Sequence, residues 1–225
     1  MQAEPAPLPK AVVLISGSGS NLQAIIDAAS SGELPLEIAA VISNVPDAYG
    51  LERAEKAEIT THKLDHRKFP QRELFDAELI RTIEQHQPDI VVLAGFMRIL
   101  SNDFVHRYLG KLVNIHPSLL PKYPGLNTHQ RAIDAQDKFH GVTVHYVIPE
   151  LDAGPNIVQA KVEITEHDTP DTLAKRVQQQ EHIIYPIVLK WLAEGRLALQ
   201  GDHATLDGEE LPKSGLLLDS SRVLH

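Results

Sequence analysis

The run Ala11–Ile15 is apolar at every position and stops abruptly at Ser16-Gly17-Ser18-Gly19-Ser20-Asn21. After the break, Leu22, Ile25, Ile26 and Ala29 fall at helical spacing, with Ser20 or Asn21 placed to cap the helix. A strand that is apolar on both sides must be covered on both sides, as in a parallel sheet between two layers of helices. The alternation continues. Ile38–Ile42 reads as a strand, Gly50–Glu58 as a short helix and Thr60–Lys63 as a third strand. A helix whose buried stripe is Leu74, Leu79 and Ile83 stops before Pro88, and Asp89–Ala94 is again a buried strand. This βαβαβαβ order predicts an α/β fold: a mostly parallel, twisted sheet with helices on both faces, Rossmann-like in outline.

Beyond Ala94 the texture changes. Val113–His116, Thr143–Val147 and Asn156–Val162 read as further strands. Pro117–Asn127 is too rich in proline and glycine for a regular element, and long ordered loops of this kind tend to carry function. From Pro170 an amphipathic helix presents Leu173, Val177, Ile184, Ile187 and Trp191, with Pro186 expected to bend it. Ala204–Glu209 suggests a small hairpin. Residues 1–10 read as a disordered lead, 11–211 as one domain, and 212–225 as a flexible tail.

Composition sets limits on function. Among 225 residues the net charge is −9, which argues against a non-specific grip on nucleic acid or an anionic membrane. With no cysteine in the chain, disulfides, thiolate metal sites and cysteine nucleophiles are excluded. The opening Met1-Gln2-Ala3-Glu4-Pro5-Ala6-Pro7 has neither the basic start nor the apolar core of a signal peptide, so the cytoplasm is the expected location. The 12 histidines raise the question of a metal, but no His-Glu-x-x-His or related spacing occurs. His140 and His145 are an odd number apart and face opposite ways on one strand. No metal is expected.

Three constellations carry chemistry. The turn Ser16–Asn21 leads from a first strand into a first helix, where free amides and the helix dipole favour a phosphate. Leu22 stands where the dinucleotide fingerprint needs its third glycine, and the lysine of a nucleoside-triphosphate loop is missing, so a single phosphate or a plain tight turn are the readings that remain. Asn114 and His116 alternate on a strand and point to the same face, with Pro117 ending it. Asp152, in Leu151-Asp152-Ala153-Gly154-Pro155, taken alone reads as a turn-forming aspartate. An amide, an imidazole and a carboxylate leaving separate strand ends can meet at one point. Together they can polarise a carbonyl and move a proton, the equipment for acyl transfer to an amine. Ala94–Leu100 follows a buried strand, where open α/β sheets place ligands; its apolar side chains with Arg98 suit a flat aromatic ligand with an acidic tail, or ordinary core. Gln178–Glu181 alone reads as a solvated helix face.

Taken together, Ser16–Gln23, Leu93–Leu100, Asn114–Pro121, Leu151–Pro155 and Gln178–Glu181 resemble one family, phosphoribosylglycinamide formyltransferase, over roughly Ala11 to Leu211. The resemblance implies a formyltransferase fold with a nucleotide-binding half (11–100) and a folate-binding, catalytic half (101–211). It implies transfer of a formyl group from 10-formyltetrahydrofolate to glycinamide ribonucleotide, with no metal, by a monomer or homodimer. Gly19, Ser20, Asn21, Gln178, Gln179, Gln180 and Glu181 would hold the ribonucleotide. Arg72, Met97, Arg98, Ile99, Leu100, Asn114, Ile148, Pro149, Glu150, Leu151 and Asp152 would hold the folate. His116 matches the catalytic acid, Asn114 its partner at the carbonyl oxygen and Asp152 the carboxylate that keeps the imidazole charged. Ser118 is expected to be structural. Asn127, where relatives often carry histidine, receives no role. The nearest competing readings are a tRNA-directed formyltransferase, a formyltetrahydrofolate hydrolase and a non-catalytic sensor of phosphorylated metabolites. A dinucleotide-dependent dehydrogenase is disfavoured by the broken glycine pattern.

Overall fold

In the computed structural model, which describes residues 7–218, the first strand, β1 (Lys10–Ile15), is the hub of an eight-stranded sheet. Its alternate side chains feed two separate cores. Ala11, Val13 and Ile15 face one layer of helices, while Val12 and Leu14 face the other, and all five are fully buried. Lys10, expected in the lead, belongs to β1; residues 1–6 lie outside the described residues.

The chain runs from β1 through α1 (Ser20–Ser30), β2 (Glu37–Ser43) and α2 (Tyr49–Lys56) to β3 (Thr61–Lys63). It then returns through a 3₁₀ turn (His66–Lys68) and α3 (Arg72–Glu84) to β4 (Ile90–Leu93) on the other side of β1. Next come α4 (Asn102–Arg107), β5 (Leu112–His116), α5 (Thr128–Asp134), β6 (Phe139–Tyr146) and β7 (Asn156–Glu163). Strands β3, β2, β1, β4 and β5 are parallel, β6 is antiparallel to its neighbours β5 and β7, and the sheet crosses residue 100 without a break. Because β1 has β2 on one side and β4 on the other, the strand order reverses there, and a crevice opens at their carboxyl ends.

The 24-residue helix α6 (Pro170–Ala193) starts with a capping box between Thr169 and Thr172, has Pro170 in its first turn, and continues through Pro186. It packs Leu173, Val177, Ile184, Tyr185, Val188 and Leu189 against the sheet. A three-stranded meander follows: β8 (Leu197–Gln200), β9 (His203–Leu206) and β10 (Glu209–Glu210).

Three expectations are corrected. Leu74 is half exposed, and the buried stripe of α3 is Phe75, Leu79 and Ile83, an i, i+4, i+8 row one residue out of phase with the expected start. Neither Ser20 nor Asn21 caps α1. The cap position is Gly19, left-handed at φ 70°, with no side-chain cap. The tail does not lose structure at residue 212: Leu216–Leu218 forms β11, parallel to β7 at the edge of the large sheet, and only 219–225 lie outside the described residues.

Candidate active site

Three chain segments reach the crevice. The turn after β1 is held by backbone: Gly50 N donates to Gly17 O at 3.0 Å, and a Cβ on Gly19 would stand 2.6 Å from the Gly50 Cα. Only glycine fits, because of both that approach and the positive φ. The opposite wall is α6. Gln178 Nε2 donates to Ser20 Oγ at 2.9 Å, and Asn21 Nδ2 donates to Glu181 Oε2 at 2.7 Å. Gln178 and Glu181 are one helical turn apart and share the face toward α1; among the described residues Gln179 and Gln180 make no side-chain hydrogen bond to the turn. Burial pushes the Glu181 carboxyl up, and the Asn21 amide opposes this in part. Asn21 Oδ1 is buried without a partner.

The second segment follows β4. Ser16 Oγ accepts from Met97 N at 2.7 Å and donates to Asn44 Oδ1 at 2.5 Å, so one hydroxyl ties the turn after β1 to the turn after β4. A cavity of about 360 Å³ adjoins it, lined by Arg72, Ile99, Leu100 and Pro149 together with Glu73, Ser101, Asn102 and Asp103. Met97, Ile99 and Leu151 are exposed apolar side chains. Arg98 does not supply the cation of this cavity. Its guanidinium lies 4.6 Å from the centre of the Phe75 ring, and Arg72 at the start of α3 lines the cavity instead.

The third segment is β5 with the two loops that close over it. Asn114 is the middle residue of β5 and His116 the last, on the same face. Asp152 does not leave a strand end. It sits at φ 50° in the Val147–Pro155 connection, which folds back until its carboxylate Oδ2 is 3.5 Å from His116 Nδ1. Ile148 is half-buried and Glu150 exposed in the same connection. Both side chains of the His116–Asp152 pair are more than nine-tenths buried, and Asp152 Oδ2 also accepts Gly125 N at 2.8 Å. His116 Nε2 is 2.9 Å from the Tyr123 carbonyl, so that nitrogen carries a proton.

A fourth polar residue completes the cluster. His145 lies opposite Asn114 in the β5–β6 ladder. Its Nδ1 lies 2.8 Å from the Tyr146 carbonyl, to which it donates; this leaves Nε2 to accept from Asn114 Nδ2 at 3.3 Å. Burial pushes the His145 pKa down, outweighing the Tyr146 carbonyl and Asp152, so its ring is neutral and orients the asparagine. Alternation along β6 places His145 on this face, but its partner strand is not readable from the sequence. His140 faces the other way, 3.1 Å from His129 of α5. Ser118 is fully buried, and its hydroxyl donates to Lys122 O at 2.6 Å, a bond that shapes the loop. Asn127 sits at φ 58° before α5 and makes no side-chain cap hydrogen bond, a left-handed position that asparagine tolerates. No group of three or more metal-ligating side chains occurs among the described residues.

The family model described as formyl transferase matches residues 9–189. The chain is 55% identical to phosphoribosylglycinamide formyltransferase of Escherichia coli over 208 residues, 92% of this chain and 98% of that protein. The chain belongs to the phosphoribosylglycinamide formyltransferase family. The family's enzyme from Haemophilus influenzae is 50% identical over 206 residues, 92% of this chain and 97% of that protein. The solved phosphoribosylglycinamide formyltransferase of Coxiella burnetii superposes with a TM-score of 0.91 at 55% identity, covering 94% of this chain and all of that one. The mostly parallel sheet flanked by helices is the fold of this formyltransferase family.

Proposed function

We propose that this chain transfers the formyl group of 10-formyltetrahydrofolate to the amine of glycinamide ribonucleotide, giving formylglycinamide ribonucleotide and tetrahydrofolate in purine synthesis. The observation that supports the mechanism is the buried His116–Asp152 pair at the end of β5, with Asn114 on the same face of that strand and His145 between Asn114 and Asp152. The Ser16–Asn21 turn, joined to Gln178 and Glu181, supports the ribonucleotide side. The turn receives the ribonucleotide phosphate on its free amides, and Glu181 takes a ribose hydroxyl. The cavity between Arg72, Ile99, Leu100 and Pro149 suits a flat, partly apolar co-substrate ending in carboxylates, with Arg72 as the cation for the acidic end.

The reaction needs no covalent enzyme intermediate, because the amine is itself a nucleophile. Its lone pair forms the new C–N bond while the formyl C=O pair moves onto oxygen. Asn114, through the amide hydrogen not given to His145, and His116 stabilise the oxyanion. The proton on His116 Nε2 is committed to Tyr123 O, so Nδ1, the nitrogen facing Asp152, is the one that works. Asp152 holds the imidazolium. As the bond to the folate nitrogen breaks, the proton lost by the amine reaches that nitrogen through His116 or a water on Asp152.

Neither substrate belongs to one half of the chain on this reading: Arg72, Ile99 and Leu100 serve the folate from within 11–100, and Gln178 and Glu181 of α6 serve the ribonucleotide from within 101–211. The net charge of −9 supports two small-molecule substrates rather than a non-specific grip on nucleic acid or membrane. Among the described residues no helix is long and apolar enough to cross a membrane. The deciding assay mixes the protein with 10-formyltetrahydrofolate and follows its deformylation with and without glycinamide ribonucleotide. Turnover that requires the ribonucleotide supports the transferase; equal turnover without it means a hydrolase, and none in either case a binding protein.

A further inference from the structure

We infer that Asp137 is a positioning residue for His116, acting through Tyr123, a role that rests on the reading of His116 as the proton donor at the formyl oxygen. The loop between β5 and α5 places two backbone groups on the catalytic pair: the Tyr123 carbonyl on His116 Nε2 at 2.9 Å and the Gly125 amide on Asp152 Oδ2 at 2.8 Å. The first bond decides which ring nitrogen remains free, so the aim of that carbonyl sets the imidazole. Tyr123 holds φ 56°, the left-handed region that aromatic residues rarely adopt and keep only where the surroundings impose it.

The surroundings that impose it here are the Asp137 carboxylate and Arg131. Tyr123 Oη donates to Asp137 Oδ2 at 2.7 Å, and Lys122 Nζ donates to both oxygens of the same carboxylate at 2.8 and 2.9 Å. Asp137 is itself fixed just beyond α5, its N–H donating to Ala132 O at 3.1 Å. Arg131 lies 5.1 Å from the centre of the Tyr123 ring and donates to Pro124 O at 2.6 Å. The Asp137 carboxylate therefore grips two consecutive residues of the loop from outside the site, seven bonds along the tyrosine from the carbonyl that meets the histidine. It touches no reacting atom, and removing it releases the carbonyl without emptying either substrate pocket.

The test is a cycle of Asp137→Asn, Tyr123→Phe and His116→Ala, with turnover and both Michaelis constants measured by the deformylation assay. Asp137→Asn and Tyr123→Phe are each expected to lower kcat about tenfold, with KM for either substrate within about twofold, because only aim at the intermediate is lost. Together they are expected to cost no more than one alone, and in the His116→Ala background neither costs anything further. Full kcat in both folded single variants overturns the inference. So does an equal loss with and without His116, the mark of a merely structural contact. Thermal melting establishes that each variant folds, and should Asp137→Asn fail to fold, the near-isosteric Tyr123→Phe decides alone. Full turnover by His116→Ala itself would bring down the reading of the site, which is a different result from an inactive His116→Ala beside an unimpaired Asp137→Asn.

Discussion

Replacing Gly19 by alanine adds one methyl group at the point where the turn after β1 passes the start of α2. The backbone there is left-handed, and an L-residue pays about 1–2 kcal/mol to hold that conformation. The new Cβ would meet the Gly50 Cα at 2.6 Å, a backbone atom that cannot rotate away, and overpacking of this kind costs about 1–3 kcal/mol. The sum is about 2–5 kcal/mol, which for a chain of this size lowers the melting temperature by about 4–20 °C. Since the same turn carries the amides read as the phosphate cradle, KM for glycinamide ribonucleotide should rise while KM for the folate stays near its starting value. Gly17 is the internal control: a Cβ there meets nothing within 4 Å and its φ is not positive, so Gly17→Ala should melt close to the parent. Differential scanning calorimetry and steady-state kinetics on the two variants read both effects. Equal melting temperatures for Gly19→Ala and Gly17→Ala would refute the steric argument. A destabilised Gly19→Ala with an unchanged ribonucleotide KM would refute the phosphate reading of the turn.

Asp152→Asn keeps the shape of the side chain and removes the charge beside His116 Nδ1, so kcat should fall about 10²-fold with folate binding largely intact; near-parental turnover in stopped assays would take the carboxylate out of the mechanism. Glu181→Gln should raise the melting temperature of the ligand-free protein at neutral pH. Burial raises the Glu181 pKa, so its ionised form costs stability as pH climbs from the ordinary glutamate range through the raised value, and the gain should vanish at a pH below that range. The same variant should bind ribonucleotide more weakly, which titration calorimetry would detect. His140, fully buried beside His129, is pushed down to about 4, by burial first and by the neighbouring imidazole second. Its neutral form stabilises the fold fully above the usual histidine range, and that contribution is lost as pH falls from about 6.5 toward 4. Replacing His140 by glutamine should flatten the loss, as urea titrations across that window would reveal.

The inner strands β1, β2 and β4 could be read from the chain because each is a short, nearly unbroken apolar run covered on two sides; the edge strand β11, three residues long, could not. The short helices α4 and α5, of 6 and 7 residues, escaped because less than two turns cannot establish a helical period. Hydropathy cannot tell Leu74 from Phe75 as the start of the buried stripe, because both are large and apolar and only the packing selects Phe75. In the site, Asn114 and His116 follow from strand alternation. Asp152 reaches them only because the β6–β7 connection folds back, which no local pattern encodes. The resemblance of motifs, rather than spacing, carried that residue and the ribonucleotide and folate segments. His145 and Tyr123 stay hidden for a related reason: one meets Asn114 only through strand register, the other meets His116 through a main-chain oxygen, and no local sequence pattern encodes either contact.

The strand Leu216–Leu218 has a consequence for how the chain is made. It pairs with Val158–Ala160, yet it follows α6 and the whole meander in synthesis, so the rim of the growing sheet stays bare until almost every other described residue has emerged. During that interval β7 offers open amide and carbonyl groups to any passing extended chain. Shortening the protein after Leu211 would make that interval permanent, with self-association rather than loss of catalysis as the first symptom.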